Sequence, residues 1–193
     1  MSKKLWEASI SKKKNSLLYK YEQFISKKFN IKFNGKYENI LRWSIKYSGN
    51  FWSSIWEFSE IKGLKREKKI QKSKIFYKNI FLPNSKLNFA ENLLSKNNLD
   101  KAITFISENG FREERNWYEL NNNVSKISKF LKSIKIKKKD RIAAYLPNSI
   151  ETVEAFIASS SLGAVWSSCS PDFGVKGVVE RFSQINPKVL FVV

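Results

Sequence analysis

The stretch RIAAYLPNSIETVEAFIASSSLGAVWSSCSPDFGVKGVVERFSQINPKVLFVV (residues 141–193) decides the fold of this chain. Three apolar runs within it, RIAAYLP, AVWSS and KVLFVV, have the length and composition of buried β-strands. The segments between these runs place apolar residues at helical spacing. Strands this apolar, alternating with helices, are typical of a parallel sheet covered on both faces. We therefore expect an α/β fold with a doubly wound βαβαβ sheet.

The ends of these elements carry more specific expectations. Asn148 is the expected N-cap of the first helix, with Glu151 as its capping-box partner. The second helix is expected to turn four apolar residues toward the sheet: Val178, Val179, Phe182 and Ile185. The last strand is almost wholly apolar and nothing follows that would cover it, and bare apolar strands promote aggregation. The sheet is therefore expected to be incomplete, and the chain to be the N-terminal piece of a longer protein.

A β-hairpin is expected just upstream of this sheet. Residues 102–119 alternate apolar and polar side chains around Asn109-Gly110. Asn-Gly between strand-like runs is a strong hairpin signal, because both turn positions then take positive φ. A helix should follow, and its expected inward-facing residues are Leu120, Val124, Ile127, Phe130 and Leu131.

The first half of the chain is expected to be mainly helical. Helical spacing of apolar residues occurs in residues 16–29, 37–47 and 51–58, and a short helix is expected around residues 90–94. Residues 51–58, FWSSIWEF, form an aromatic stripe that favours a helix packed on a larger body over a ligand site. Residues 61–80 are charged and are expected to be a connector with one strand. We expect a helical region over residues 1–95 and a second domain beginning over residues 96–193.

Composition excludes several kinds of chemistry. The 193 residues contain no histidine, which removes the commonest general base and zinc ligand. The single cysteine, Cys169, allows no intrachain disulfide and favours a reducing compartment, so we expect a cytoplasmic protein. No apolar run is long enough to span a membrane, and we expect no membrane partner.

The net charge of +19 has two interpretations. It comes from 30 lysines and six arginines, and all of the excess lies in residues 1–140. A nucleic-acid-binding module would use more arginine and a basic stripe interleaved with aromatic residues. Scattered lysines on solvated helix faces are therefore favoured, and we expect no nucleic-acid partner. Steeply salt-dependent binding to DNA would favour the alternative.

The segment SSCSPDFG (residues 167–174) interrupts this apolar region with small and polar residues. In an open parallel sheet, ligands bind outside the carboxyl ends of the strands, where this segment is expected to lie. Asp172 is expected to cap the next helix or to face a polar ligand. A plain loop whose serines and aspartate bind local amides explains the residues equally well.

Several segments carry a resemblance to a known family. KLWEASI, YENILRWSIKYSGNFWSSIWEF, LPNSKLNFAENLL, DRIAAYLPNSIETVEAFIASSSLGAVWSSCSPDFG and VVERFSQINPKVLFV together resemble the N-terminal third of acetoacetate–CoA ligases, which are adenylate-forming acyl-CoA synthetases. LNFAENLL and GAVWSS are shared with acetate and propionate enzymes, whereas WSSCSPDFG discriminates better.

The resemblance implies an ATP-dependent, AMP-forming ligase that uses acetoacetate, CoA and Mg²⁺. Residues 96–193 would then begin its AMP-binding domain. It also implies that Asp172, Phe173 and Gly174 line the CoA channel. The family's phosphate loop and catalytic lysine would lie downstream, so we expect no catalytic or metal-binding residue here and no activity from these residues alone. Three alternatives stay open: a sibling acetyl- or propionyl-CoA synthetase, a basic nucleic-acid-binding module, and a degenerate paralogue with a structural role.

Overall fold

The computed structural model describes residues 5–67 and 70–193. The chain forms two compact units, residues 1–86 and residues 87–193.

The first unit begins with four helices. They are α1 (Ile10–Asn15), α2 (Leu17–Phe29), α3 (Tyr37–Lys46) and α4 (Ser48–Phe58). Helices α2, α3 and α4 share a core built on Tyr21, Ile25, Ile40 and Trp43, whereas α1 contributes no buried residue. The aromatic stripe of α4 packs as predicted, because Phe51 and Ile55 lie against this core and Trp56 is buried.

The rest of the first unit is a short antiparallel pair. Strand β1 (Ile70–Gln71) pairs with β2 (Ile80–Phe81), and a 3-10 helix, Phe76–Lys78, lies between them. An isolated antiparallel bridge joins Leu64 to Lys86. The predicted connector therefore holds two paired segments rather than one strand.

The second unit begins with α5 (Phe89–Leu93) and the predicted hairpin. Strand β3 (Lys101–Ile106) pairs antiparallel with β4 (Arg112–Asn116), and α6 (Trp117–Ser133) follows directly. The turn is longer than the two-residue form, since the Ser107 amide donates to the Phe111 carbonyl across it. Gly110 has a φ of 83°, whereas Asn109 is not in the left-handed region. The hairpin is confirmed, and its expected turn type was wrong.

The parallel sheet is present as predicted. Its elements in chain order are β5 (Arg141–Tyr145), α7 (Ile150–Ser161), β6 (Val165–Cys169), α8 (Val175–Ile185) and β7 (Val189–Val192). The strand order is β6–β5–β7, and both pairings are parallel. Ile142 of the central strand lies opposite Trp166 on one side and Val189 on the other. The α/β fold class is confirmed.

The two faces of this sheet are covered unequally. On one face, Ile142 packs with residues of α6 and α7, and Trp166, Val189 and Phe191 join that cluster. On the other face, α8 packs through Phe182 on Ala143 and Cys169. Alternation along β7 puts Leu190 and Val192 on the α8 side, where they are 51% and 59% exposed. Helix α8 therefore covers β5 and β6 but leaves β7 open.

Three details differ from the sequence expectations. The N-cap of α7 is Ser149, whose hydroxyl accepts a bond from the Thr152 amide, and not Asn148. Val179 is 58% exposed, because α8 contacts the sheet along the narrower line of Val178, Phe182 and Ile185. Phe130 is 54% exposed on α6, although its neighbour Leu131 is fully buried.

Candidate functional site at the carboxyl ends of strands β5 and β6

The loops that follow β5 and β6 leave the sheet toward opposite faces. Residues 146–149 lead into α7, which packs on the face of Ile142. Residues 170–174 lead into α8, which packs on the face of Ala143. Ligands of open α/β sheets bind outside the carboxyl ends of the strands, where these loops lie. The serine- and proline-rich segment lies at that position.

The backbone of residues 170–173 forms a tight turn. The Phe173 amide donates to the Ser170 carbonyl at 3.1 Å. The Ser170 hydroxyl donates to the Asp172 carboxylate at 2.7 Å. Helix α8 begins at Val175, and its N-cap residue, Gly174, has no side chain to offer as a cap. Asp172 therefore stabilises its own turn and does not cap the helix, so one of its two expected roles is wrong.

The three residues expected to line a ligand channel lie together on the outer side of this turn. Asp172 and Gly174 are exposed, and the Phe173 side chain is 39% exposed. A Cβ built at Gly174 would meet open space among the described residues. The turn thus presents an acidic group, an aromatic ring and an open backbone position to the solvent. The role of Asp172, Phe173 and Gly174 in ligand binding stays a prediction.

Two residues that sequence reasoning missed hold this turn in place. The Tyr145 hydroxyl oxygen lies 2.7 Å from the carbonyl oxygen of Pro171 and 3.0 Å from that of Phe173. The Arg181 guanidinium carbon lies 4.6 Å from the centre of the Phe173 ring, a cation–π contact. Only their positions in the sequence could have indicated these contacts. Tyr145 is at the end of its strand, and Arg181 follows Phe173 by eight residues, which is about two helical turns.

A polar groove adjoins the turn along the outer edge of the sheet. Its volume is about 540 Å³, and it runs between β6 and α8. Ser167 and Ser168 supply hydroxyls from the strand, and Arg181 and Gln184 supply nitrogen donors from the helix. The thiol of Cys169 is reduced and the residue is buried at the base of this region.

The strongest charge interaction of the sheet lies at its other end. Asp140 precedes β5, and its carboxylate accepts bonds from the Lys188 ammonium at 2.7 Å and from the Lys137 amide at 2.8 Å. These bonds lower the pKa of Asp140 below its ordinary value, and burial opposes them only weakly. This ion pair joins the start of the central strand to the start of β7.

The described residues contain neither a cluster of metal-ligating side chains nor a membrane-spanning helix. Across residues 5–67 and 70–193, no group of three or more histidine, cysteine, aspartate or glutamate side chains comes together to hold a metal ion. None of the helices in that part of the chain is long and apolar enough to cross a membrane.

Comparison with known proteins identifies relatives of this chain. An acetoacetyl-coenzyme A synthetase of Rhizobium meliloti (strain 1021) is 40% identical over 156 residues, which are 81% of this chain and 24% of that protein. The malonamoyl-CoA synthetase of Penicillium aethiopicum is 32% identical over 195 residues, which are 97% of this chain and 27% of that protein. The chain thus spans about a quarter of the length of these curated relatives.

The solved structure of an acetoacetyl-CoA synthetase from Streptomyces lividans superimposes with a TM-score of 0.90. It is 25% identical, and the match covers 99% of this chain and 30% of that structure. Residues 95–193, which include the whole parallel sheet and its carboxyl-end turn, match the model of the AMP-binding enzyme family. The chain therefore belongs to the AMP-binding enzyme family.

Proposed function

We propose that this chain is the N-terminal part of an AMP-forming acid–CoA ligase whose substrate is acetoacetate. In the first step, an acid carboxylate oxygen attacks the α-phosphorus of ATP, and pyrophosphate leaves. In the second step, the CoA thiolate attacks the carbonyl carbon of the acyl-adenylate, and AMP leaves. Adenylation is needed because a carboxylate oxygen is a poor leaving group and AMP is a good one.

The observation that carries this proposal is the extent of the structural match. The acetoacetyl-CoA synthetase structure follows this chain over 99% of its length, so the match includes the helical first unit as well as the sheet. The family model alone covers residues 95–193 and does not separate one acid from another. The sequence relatives favour the same acid, at 40% identity for the bacterial protein.

The proposed substrate class is based on two relatives, which are named for different acyl-CoA products. Acetoacetate, with four carbons, and malonamate, with three, both have a carbonyl group as the β carbon, and they differ by a methyl group against an amino group on that carbonyl. Relatives named for both acids align with this chain. We therefore propose a short β-oxo acid as the substrate, with acetoacetate preferred and malonamate as the second candidate.

The proposed role of the turn is to receive CoA for the second step. Asp172, Phe173 and Gly174 stand at the carboxyl end of β6, where the fold opens a crevice. Gly174 has open space around it, which leaves room for an extended thiol arm to approach the backbone. Mg²⁺, which the family resemblance implies, is proposed to act in the full-length protein, and no step is assigned to it on this chain.

The test is ATP–pyrophosphate exchange by the full-length protein that contains this chain, with four acids compared. We expect exchange with acetoacetate, weaker exchange with malonamate, and little with acetate or propionate. Exchange with acetate but not acetoacetate would overturn the proposed substrate. Residues 1–193 alone are expected to give no exchange, because they span about a quarter of the relatives.

The role of the turn has its own test. Gly174→Trp should fill the open space at the turn, so the KM for CoA should rise while acetoacetate-dependent exchange, which uses no CoA, stays unchanged. Gly174→Ala is the matched control and should change the KM for CoA much less. Equal KM values for wild type and Gly174→Trp would remove this turn from the CoA path.

Location and metabolic role follow as parts of the same proposal. We propose a cytoplasmic ligase that returns acetoacetate, a ketone body, to lipid metabolism as its thioester. The sequence contains a single cysteine, and this sparse use of cysteine supports a reducing compartment. Fractionation of cells that produce the full-length protein would test the location.

A further inference from the structure

Tyr145 stands where the central strand meets the turn. It is the last residue of β5 and lies opposite Cys169, the last residue of β6, in the parallel register. Its ring packs with Ala143, Cys169 and Phe182 on the α8 side of the sheet. The ring is thus held on three sides by the sheet and the helix, and its hydroxyl projects past the end of the strand.

The Tyr145 hydroxyl ties two carbonyl groups of the turn together. It lies 2.7 Å from the oxygen of Pro171 and 3.0 Å from the oxygen of Phe173. A phenol has one proton to donate, so the two oxygens share it in a three-centre bond. The first carbonyl belongs to the Pro171–Asp172 peptide group and the second to the Phe173–Gly174 peptide group, so the shared bond restrains the turn at both ends.

The Phe173 ring is restrained independently of Tyr145. A Cβ at Gly177 would lie 3.7 Å from this ring, so the ring lies directly over the glycine. Arg181 stacks on the same ring, with 4.6 Å between the guanidinium carbon and the ring centre. Tyr145 therefore restrains the backbone of the turn, while α8 restrains its aromatic side chain.

We propose that Tyr145 is a positioning residue for thioester formation, which it serves by holding the turn of residues 170–174 in its CoA-receiving conformation. This inference rests on the proposed function. The hydroxyl is fully engaged with the protein backbone, so its effect on CoA is exerted through the turn. When a loop is ordered before the ligand binds, the binding free energy does not include the entropic cost of ordering that loop. This preorganisation raises the affinity.

The experiment compares two half-reactions of the full-length protein carrying Tyr145→Phe. The substitution keeps the ring and removes the shared hydrogen bond. The KM for CoA is expected to rise roughly three- to tenfold, the factor that corresponds to loss of one net hydrogen bond. Acetoacetate-dependent pyrophosphate exchange, which proceeds without CoA, is expected to keep its rate.

Tyr21→Phe is the matched control, because the Tyr21 hydroxyl also makes a hydrogen bond, at 2.7 Å to Ser54, within the first unit. An unchanged KM for CoA in Tyr145→Phe would overturn the positioning role. A parallel loss in both half-reactions, or the same rise in Tyr21→Phe, would also overturn it in favour of a general stability effect. Absence of exchange by the wild-type protein with every acid would instead overturn the proposed function on which the role rests.

Discussion

The side-chain amide nitrogen of Asn88 lies 3.1 Å from the carbonyl oxygen of Ser160, in the last turn of α7. The same nitrogen donates to the neighbouring carbonyl of Ser161, also at 3.1 Å. Its side-chain oxygen meanwhile accepts the Glu91 amide and caps α5. One asparagine therefore bonds to backbone groups at the start of α5 and at the end of α7. Asn88 and Ser160 are 72 residues apart along the chain.

Two substitutions of Asn88 distinguish its cap of α5 from its bonds to the end of α7. Asn88→Ala removes both and is expected to lower the free energy of unfolding by about 1–2 kcal/mol. Asn88→Asp keeps the oxygen that caps α5, but it places a negative charge at the negative pole of α7 and loses both donated bonds. We expect a cost of similar size for it, measured by urea denaturation.

Asn116 provides the matched control for this prediction. It caps α6 with its side-chain oxygen, which accepts the Glu119 amide at 2.8 Å. An aspartate keeps that bond and suits a helix start, so Asn116→Asp should change stability by less than about 0.5 kcal/mol. Equal costs for Asp at positions 88 and 116 would show that the bonds from Asn88 to α7 contribute little.

Glu154 is the second target, because its carboxylate is nearly buried. It lies 3.4 Å from the Arg115 guanidinium and accepts a bond from the Asn123 amide at 2.9 Å. Burial disfavours the charged Arg115, but its bond to Glu113 and the nearby carboxylates outweigh this and raise its pKa. Glu154→Ala removes one acceptor from the half-buried Arg115 and Asn123 side chains, although Arg115 keeps its bond to Glu113, and it is expected to cost about 1–3 kcal/mol.

Glu151 lies one turn earlier on the same helix and serves as the control. Its carboxylate is 3.7 Å from Arg115, and its side chain is 62% exposed. An exposed ion pair contributes little, so Glu151→Ala should cost less than about 1 kcal/mol. Thermal denaturation of the two variants checks the difference, and a larger effect at position 151 would contradict the assignment.

Backbone strain predicts a third result. Gly163 has a φ of 69°, and a Cβ there would lie 3.1 Å from Cγ of Lys138. Gly110 has a φ of 83° but open space around it among the described residues. Both substitutions to alanine should cost about 1–2 kcal/mol for the left-handed backbone. Gly163→Ala should cost more because of the lysine, and chemical denaturation giving the reverse order would contradict this.

The pH dependence of stability supplies the fourth prediction. The pKa of Asp140 is lower in the folded chain than in the unfolded chain, so the unfolded state binds more protons in acid. Its stabilising effect is complete above the ordinary aspartate pKa of about 4 and is lost as the pH falls through the lower folded value. Asp140→Asn should therefore be less stable than wild type at neutral pH.

The difference between wild type and Asp140→Asn should shrink as the pH falls below about 4. Unfolding midpoints measured across that range for both proteins check this. A difference that stays constant down to the most acidic point would show that the Lys188 pairing does not depend on the Asp140 charge.

The sequence predicted the parts of this fold that depend on local periodicity. Strands β5 and β7 are largely apolar on both faces, β6 begins with Val165-Trp166, and helices separate the three, a pattern that leaves few alternatives to a parallel arrangement. The hairpin around Gly110 was predicted from another local pattern, the alternation of apolar and polar residues on either side of Asn109-Gly110. Helix starts were less certain, since Asn148 and Ser149 are both good N-caps and the choice depends on the path of the preceding turn.

Contacts between distant segments were not visible in the sequence. The bond from Tyr145 to the turn joins residues 26 apart, and the bond from Asn88 to Ser160 joins residues 72 apart. No local pattern distinguishes such a tyrosine or asparagine from one in solvent. The burial of Phe130 and Val179 was mispredicted because helical spacing identifies a face and not its width.

The strand order has a consequence for the chain as it leaves the ribosome. Strand β5 is made first of the three, yet it pairs with both β6 and β7, and β7 is made last. The emerging protein therefore carries its central strand, β5, with one open edge until Val189–Val192 are available. An open edge of this kind can recruit another chain, so nascent copies should need a chaperone's protection during this interval of synthesis.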